Sequence, residues 1–446
     1  MFHLFDEESF MHGFSEFYQN QNDPSHRRNL WYVHFLLILA FGKAFVVGQT
    51  HSRRPAGVEY FVRAMKLLPD ITFLHTQPVN SVEILCCVAL YLQCLDFRGS
   101  AYTKVGEALR IALEEGMHCN MQGHSLDESY VQRCCHVWWT VYILDRQITS
   151  FMGVPLAIRD EDITAALPKP SQYLPNALAL TLNVKLSRII SQILITVYGE
   201  DGQLSKKFVS STKFALKSIA AVTNQLQESY PLPKNGSLAG ISRLSAYLHL
   251  LHHQCVVVTT RPLLFSLLKM RLDDKDIVPI LSSSSGNART LLRVCLESSQ
   301  HILNVLDALK LQSLLDTFLP FDLEAAFAAI IIVLLVPSVD ESLLENQAPW
   351  VEKGQAIFDS MVIRGNLQAA ARQSDVQQLQ QILCHMPFSP TRVEAQADSQ
   401  GPSQLDMGYM ETDWQNISAD QMMMLADTLD LDSIDWLTID SSVAVD

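Results

Sequence analysis

Residues 125–155 read S-L-D-E-S-Y-V-Q-R-C-C-H-V-W-W-T-V-Y-I-L-D-R-Q-I-T-S-F-M-G-V-P, and the spacing of apolar side chains along this stretch decides the fold class. Val137, Val141, Leu144 and Ile148 recur at intervals of three and four, which places them on one face of an α-helix. Ser125 and Glu128 have capping-box spacing ahead of it. Gly153 and Pro155 supply a stop behind it.

The same period extends outward in both directions. Upstream, Val105, Leu109, Ala112 and Leu113 form a stripe, with Gly116 positioned as a left-handed C-terminal cap. Downstream, Leu244, Leu248, Leu251, Cys255 and Val258 form another, which Arg261-Pro262 is expected to stop. Further helices are expected near residues 30–48, 81–95, 181–198, 288–310, 322–336 and 365–385. Long alternating patterns are missing, so the chain reads as all-α, a large multi-helix body. Residues 231–240 and 273–287 read as loops, the latter through Ser282-Ser283-Ser284-Ser285-Gly286. After about Pro390 the composition shifts to Gln, Ser, Asp and Gly, which divides the chain into a body, residues 1–390, and a tail, residues 391–446.

Charge separates the two parts. Of a formal net charge of −14 over 446 residues, the stretch from 401 onward carries −10, with no Lys or Arg. No basic stripe appears elsewhere, and neutralising several phosphates needs one, so DNA is expected to be reached only indirectly from this chain. The nine cysteines include no C-x2-C pair, the spacing that close thiolates on one zinc usually require. Cys86-Cys87 and Cys134-Cys135 read as buried inert thiols before redox sensors. His252-His253 has no third ligand at helical spacing, and no metal or other cofactor is expected. The G-x-S-x-G, P-loop, H-E-x-x-H and G-x-G-x-x-G patterns are all missing, so no enzyme activity is expected. Neither apolar stretch is expected to cross a membrane: residues 31–48 are broken by His34 and Lys43, and residues 325–336 fall short of the roughly 20 residues a bilayer needs.

The tail interleaves its acids with Tyr409, Met410, Trp414, Ile417, Met422, Met423, Met424, Leu425, Leu429, Leu431, Ile434, Trp436 and Leu437. Acidic-hydrophobic alternation of this kind marks disordered activation segments, in which mutual repulsion keeps apolar side chains available to dock as a transient amphipathic helix. A tail that only solvated the protein would not need two Trp and a Met cluster.

The stretch 102–168 resembles the signature of the fungal-specific transcription factor domain, the regulatory middle region of zinc-cluster activators. Gly106 through Arg110 to Ala112, then Gly116-Met117-His118, is similar to the family's helix ending in a Gly-Leu-His turn. Arg133, Trp138-Trp139, Tyr142, Asp145-Arg146 and Ser150 resemble the next helix, and Gly153-Val154-Pro155, Ile158, Asp160, Asp162-Ile163 and Leu167-Pro168 its continuation. Weaker similarity runs over about residues 1–385. Two departures stand out: Val154 occupies a position where the family often has Arg, and Cys134-Cys135-His136 replaces part of a basic run. The family's zinc-cluster pattern is not in this sequence, so zinc is expected only if an N-terminal zinc-cluster segment is missing.

The resemblance implies a nuclear regulator of a metabolic or secondary-metabolite gene set that engages coactivators or the general transcription machinery. It also implies a homodimer, or a heterodimer with a zinc-cluster factor. The alternatives are a truncated co-regulator or dominant-negative partner, and a small-molecule sensor with Trp138, Trp139 and Tyr142 near its pocket. For Asp145-Arg146 the first expectation is a pair tying helices together, and for the Trp pair, burial in the core. His118 is expected at a helix C-terminus.

Overall fold

Spacings of three and four residues become helices almost everywhere they occur. The computed structural model describes residues 2–19, 29–47, 55–121, 126–168, 177–197, 206–233, 238–273, 277, 281, 287–386 and 418–429. Among them there is no strand. The helices in chain order are α1 (Glu7–Gln19), α2 (Leu30–Val46), α3 (Val58–Leu67), α4 (Ile71–Leu74), α5 (Pro78–Cys94), α6 (Arg98–Glu114), α7 (Glu128–Met152) and α8 (Ala177–Thr196). They continue with α9 (Lys206–Ser229), α10 (Arg243–Leu272), α11 (Asn287–Leu311), α12 (Pro320–Leu335), α13 (Ala348–Ile363), α14 (Leu367–His385) and α15 (Ala419–Thr428). The chain divides into two compact units. The first comprises Met1–Ser191, Asp316–Pro320 and Met361–Gln368, and the second Gln192–Leu315, Phe321–Ser360 and Ala369–Asp446.

In the first unit α5 is the central element. Val82, Ile84, Leu85, Cys86, Cys87, Val88, Ala89, Leu90 and Tyr91 are all buried. A helix apolar on every side must be enclosed, and α2, α6 and α7 pack against it. Phe61 stacks on Tyr91 at 4.2 Å, and Phe41 and Phe318 meet the same ring edge-on or tilted. At the start of α3, Gly57 has φ +87°, and a Cβ there would stand 2.2 Å from the Ala40 carbonyl oxygen.

Helix α7 is the element read first in the sequence. Its N-terminal cap is Asp127, whose carboxylate accepts the Tyr130 N–H at 3.3 Å; the expected cap, Ser125, lies outside the described residues. Asp offers the backbone the same acceptor as Ser. At the other end Gly153, at φ +64°, forms the left-handed cap, and both it and Val154 donate to the Thr149 carbonyl. Gly116 (φ +69°) closes α6 in the same way. Gly153 and Gly57 give a graded test. A Cβ at Gly153 would meet nothing within 4 Å, so Gly153→Ala is expected to cost about 1 kcal/mol, the left-handed penalty alone. Gly57→Ala adds a steric clash and is expected to cost about 3 kcal/mol. Urea midpoints for the two variants check the order.

In the second unit α10 pairs with α9 and α11. Helix α10 begins at Ser242, whose hydroxyl accepts the Ser245 N–H, and it runs through Pro262 to Leu272. The expected stop at Arg261-Pro262 is corrected here. A proline inside a helix removes one backbone bond and costs roughly 3 kcal/mol, but Leu263, Leu264 and Leu267 beyond it are fully buried. Burying each of those side chains is worth about 2 kcal/mol, which outweighs the loss.

The apolar helix expected at 322–336 is also longer than its reading. Pro320–Ser338 reaches a length and apolarity that could cross a bilayer, yet 78% of its apolar window is buried within the protein, as is 61% of Ala177–Thr196. Both are core helices by that measure. Within the acidic tail, expected to be disordered, residues 418–429 form the capped helix α15, and Trp414, Leu431, Ile434, Trp436 and Leu437 lie outside the described residues.

Candidate functional site

Two constellations stand out, one in each unit. The first is built on α7. Trp138 and Trp139 are fully buried, side by side at the middle of the helix. Trp139 donates its indole N–H to the Ala166 carbonyl at 2.8 Å, and Cys135 Sγ lies 3.2 Å from the same oxygen. Three residues on, Tyr142 donates its hydroxyl to Asp160 Oδ1 at 2.8 Å. One further turn along, Arg146, with no exposed surface, spreads its guanidinium over three acceptors: Asp145 Oδ2 at 3.1 Å, the Ile158 carbonyl at 2.7 Å and Asp160 Oδ1 at 3.1 Å. It also lies 4.6 Å from the centre of the Tyr142 ring. Burial holds the Asp145 carboxyl above the ordinary range, against the pull of the Arg146 charge. Burial likewise pushes the Tyr142 hydroxyl up to about 12.

Residues spaced at i, i+3 and i+7 along one helix thus fasten the irregular chain from Ile158 to Ala166 onto α7. On its other side that chain is held by His118, whose carbonyl accepts the N–H groups of Thr164 and Ala165, both at 2.9 Å. The His118 ring packs 5.7 Å from Trp138, just beyond the Gly116 cap. Gly153 and Pro155 turn the chain out of α7 so that it can double back. The constellation is a clasp between the end of α6, α7 and the segment after it. Trp138, Trp139 and Tyr142 are closed in by this packing.

Some members of the sequence signature stand apart from the clasp. Arg110 and Asp162 are exposed, and a Cβ at Gly106 would meet only the Arg110 guanidinium, at 3.2 Å. Arg133 belongs to a separate cluster: it makes a two-pronged pair with the buried Glu83 at 3.1 and 2.7 Å and reaches Asn80 at 2.7 Å. His3 Nε2 lies 3.5 Å from Glu83, and His34 Nε2 meets the Leu4 carbonyl at 2.8 Å. Burial pushes the Glu83 carboxyl up, but its contacts with His3 and Arg133 outweigh this and hold it below the ordinary carboxylate range. Glu83 was missed in the sequence, although a lone carboxylate inside the apolar run Val82–Tyr91 was a signal that a cation must meet it.

The second constellation surrounds α15. Ser418 accepts the Gln421 N–H and Gln421 accepts the Ser418 N–H, at 3.1 and 2.8 Å, a reciprocal capping box. Helix α15 packs on α9 and touches α11. Beneath them lies a layer of three buried imidazoles that the sequence reading did not anticipate: His249 meets the Tyr230 carbonyl at 2.8 Å, His252 meets Thr223 Oγ1 at 2.9 Å, and His253 stacks on the half-buried His301 at 5.0 Å. Burial lowers His249 to about 4 and His252 to about 3. Among the described residues no group of three His, Cys, Asp or Glu is placed to hold a metal ion. Cys86, Cys87, Cys94, Cys255 and Cys295 are buried, and burial raises each thiol far from the reactive range.

Residues 1–230 match the Fungal specific transcription factor domain, which is more than half of the chain. The chain belongs to that family. The α7 clasp lies within the matched residues. An uncharacterized transcriptional regulatory protein of Schizosaccharomyces pombe is 23% identical over 67% of this chain and 38% of its own length. The thiamine repressible genes regulatory protein thi1 of the same yeast is 22% identical over 67% of this chain and 39% of its own. Activator of stress genes 1 of Saccharomyces cerevisiae is 31% identical over 25% of this chain and 11% of its own. The chain thus spans about two fifths of the length of the first two relatives. No solved structure is significantly similar.

Proposed function

We propose that this fungal transcription regulator is an activator, with the helical body as its regulatory module and the acidic tail as its activating segment. On this reading it works in the nucleus, engages a coactivator or the general transcription machinery, controls a metabolic or secondary-metabolite gene set, and meets DNA through a zinc-cluster segment or partner, as a homodimer or heterodimer. It performs no catalysis and needs no cofactor of its own. Relatives named as a regulator of thiamine repressible genes and as an activator of stress genes support the regulatory and activating parts of the reading.

One observation carries the activating role. The single tail segment among the described residues is an amphipathic helix in a wholly acidic context, with Met422, Leu425 and Leu429 on one face. Helices of that kind enter hydrophobic grooves by i, i+3, i+7 anchors. Fused to a heterologous DNA-binding module, the intact chain is expected to drive a reporter, and deletion of residues 401–446 to remove most of that output. Undiminished output after the deletion would sink the assignment of the tail.

A further inference from the structure

The apolar face of α15 is covered. Met422, Leu425, Ala426 and Leu429 are 0–5% exposed, while Met423 and Met424 on the other side are 38% and 71% exposed. The covered residues are the ones an activating helix presents to its target.

What covers them is complementary in charge as well as shape. On α9, Lys217 Nζ lies 2.7 Å from Asp427 Oδ1, and Lys213 adds a second positive charge near the same carboxylate. Thr223 Oγ1 lies 4.0 Å from Met422 Sδ. Between Lys217 and Thr223, at helical spacing, stands Ala220, small enough for two helices to approach closely. From α11, Asn287 donates its side-chain amide to the Thr428 carbonyl at 2.8 Å, satisfying one of the acceptors a helix leaves open at its end. A stretch that from residue 401 onward has no Lys or Arg therefore meets two lysines and a C-terminal donor. A solvated acidic helix would need neither.

We propose that the α9–α11 face is a receptor for the chain's own acidic helix, and that α15 docked there is the silent form of the tail. The inference rests on the activating role proposed for the tail and adds its control: docking and coactivator binding use the same residues and exclude one another. Because the helix belongs to the same chain, a coactivator competes with an intramolecular contact at high effective concentration. Only a signal that favours the undocked state shifts the balance.

The test uses the full chain fused to a heterologous DNA-binding module, with hydrogen exchange at residues 419–429 and reporter output read side by side. In the intact chain these amides are expected to exchange at least ~10-fold more slowly than in an unstructured segment. Ala426→Gln keeps the apolar anchors, the charge and the helix propensity but finds no room at a fully buried position. It is expected to abolish the protection and raise reporter output several-fold. Lys217→Glu leaves the tail sequence untouched and is expected to move both readouts the same way, with Lys217→Glu/Asp427→Lys moving them back. Unprotected amides in the intact chain would overturn the docking, and lost protection without a rise in output would overturn the silencing. Output unchanged on deleting 401–446 removes the activating reading and the silencing with it, while exchange still decides whether α15 docks.

Discussion

Arg146→Ala is expected to cost the first unit about 3–5 kcal/mol, the usual price of breaking a buried ion pair from one side. Arg146 has no exposed surface and Asp145 is 2% exposed, so water cannot replace the lost partner. The carboxyl, already held high by burial, must then stay unpaired or take up a proton. The Ile158 carbonyl loses its side-chain donor and Asp160 one of its two in the same step, and with them goes one of the three fastenings that α7 makes to the chain after it. The other two, Tyr142 to Asp160 and Trp139 to Ala166, remain, so the expected result is a weakened clasp and a lower unfolding midpoint. Arg146→Lys keeps the charge but cannot fork over three acceptors, and is expected to recover only part of the loss. Asp145→Leu combined with Arg146→Met is expected to be milder than Arg146→Ala, because no buried charge is left behind. Urea unfolding followed by tryptophan fluorescence measures all three. A loss under about 1 kcal/mol for Arg146→Ala would show that the pair is solvated and the clasp loose.

The second unit is expected to lose stability as the solution is acidified from pH 7 toward 5. His249 and His252 titrate near 4 and 3 in the folded chain, because burial opposes their charged forms, against about 6.5 when unfolded. Between those values the unfolded state binds protons that the folded state refuses. Stability is therefore full above about pH 6.5 and falls as the pH drops below it, by up to about 1.4 kcal/mol per pH unit for each histidine. Glu297, which burial raises, works in the opposite sense in that unit. His252→Gln cannot titrate and is expected to flatten the pH dependence by about one proton's worth, whatever it does to stability at neutral pH. Unfolding free energies at several pH values, with and without His252→Gln, provide the check. An identical slope in both proteins would mean that His252 is hydrated in the folded state. Because His252 touches Thr223 and Thr223 touches Met422, acid is also expected to loosen α15.

How much was legible beforehand depended on whether the deciding interaction was local. Helix α7, its glycine stop and the burial of Trp138 and Trp139 could be read because a helical face repeats every three to four residues and a left-handed cap asks for Gly. The clasp was half visible. Tyr142, Arg146 and Asp160 were picked out as a pattern, but that the first two converge on one oxygen of the third depends on a fold-back that no periodicity encodes. The Arg261-Pro262 stop was misread for a related reason: propensity at a single position is worth a few kcal/mol, and burial of the leucines beyond it outweighs that.

By itself the sequence determined the all-α class, the position of most helices, the acidity of the tail and the family signature, since each rests on residue identity at short separation. Only the tertiary structure decided that Glu83 is the partner of Arg133, that imidazoles collect between α10 and its neighbours, and that α15 lies against Lys217 with its apolar face hidden. Those contacts join residues dozens to hundreds of positions apart. Their free energy comes from burial and charge pairing that exist only once the chain has closed on itself.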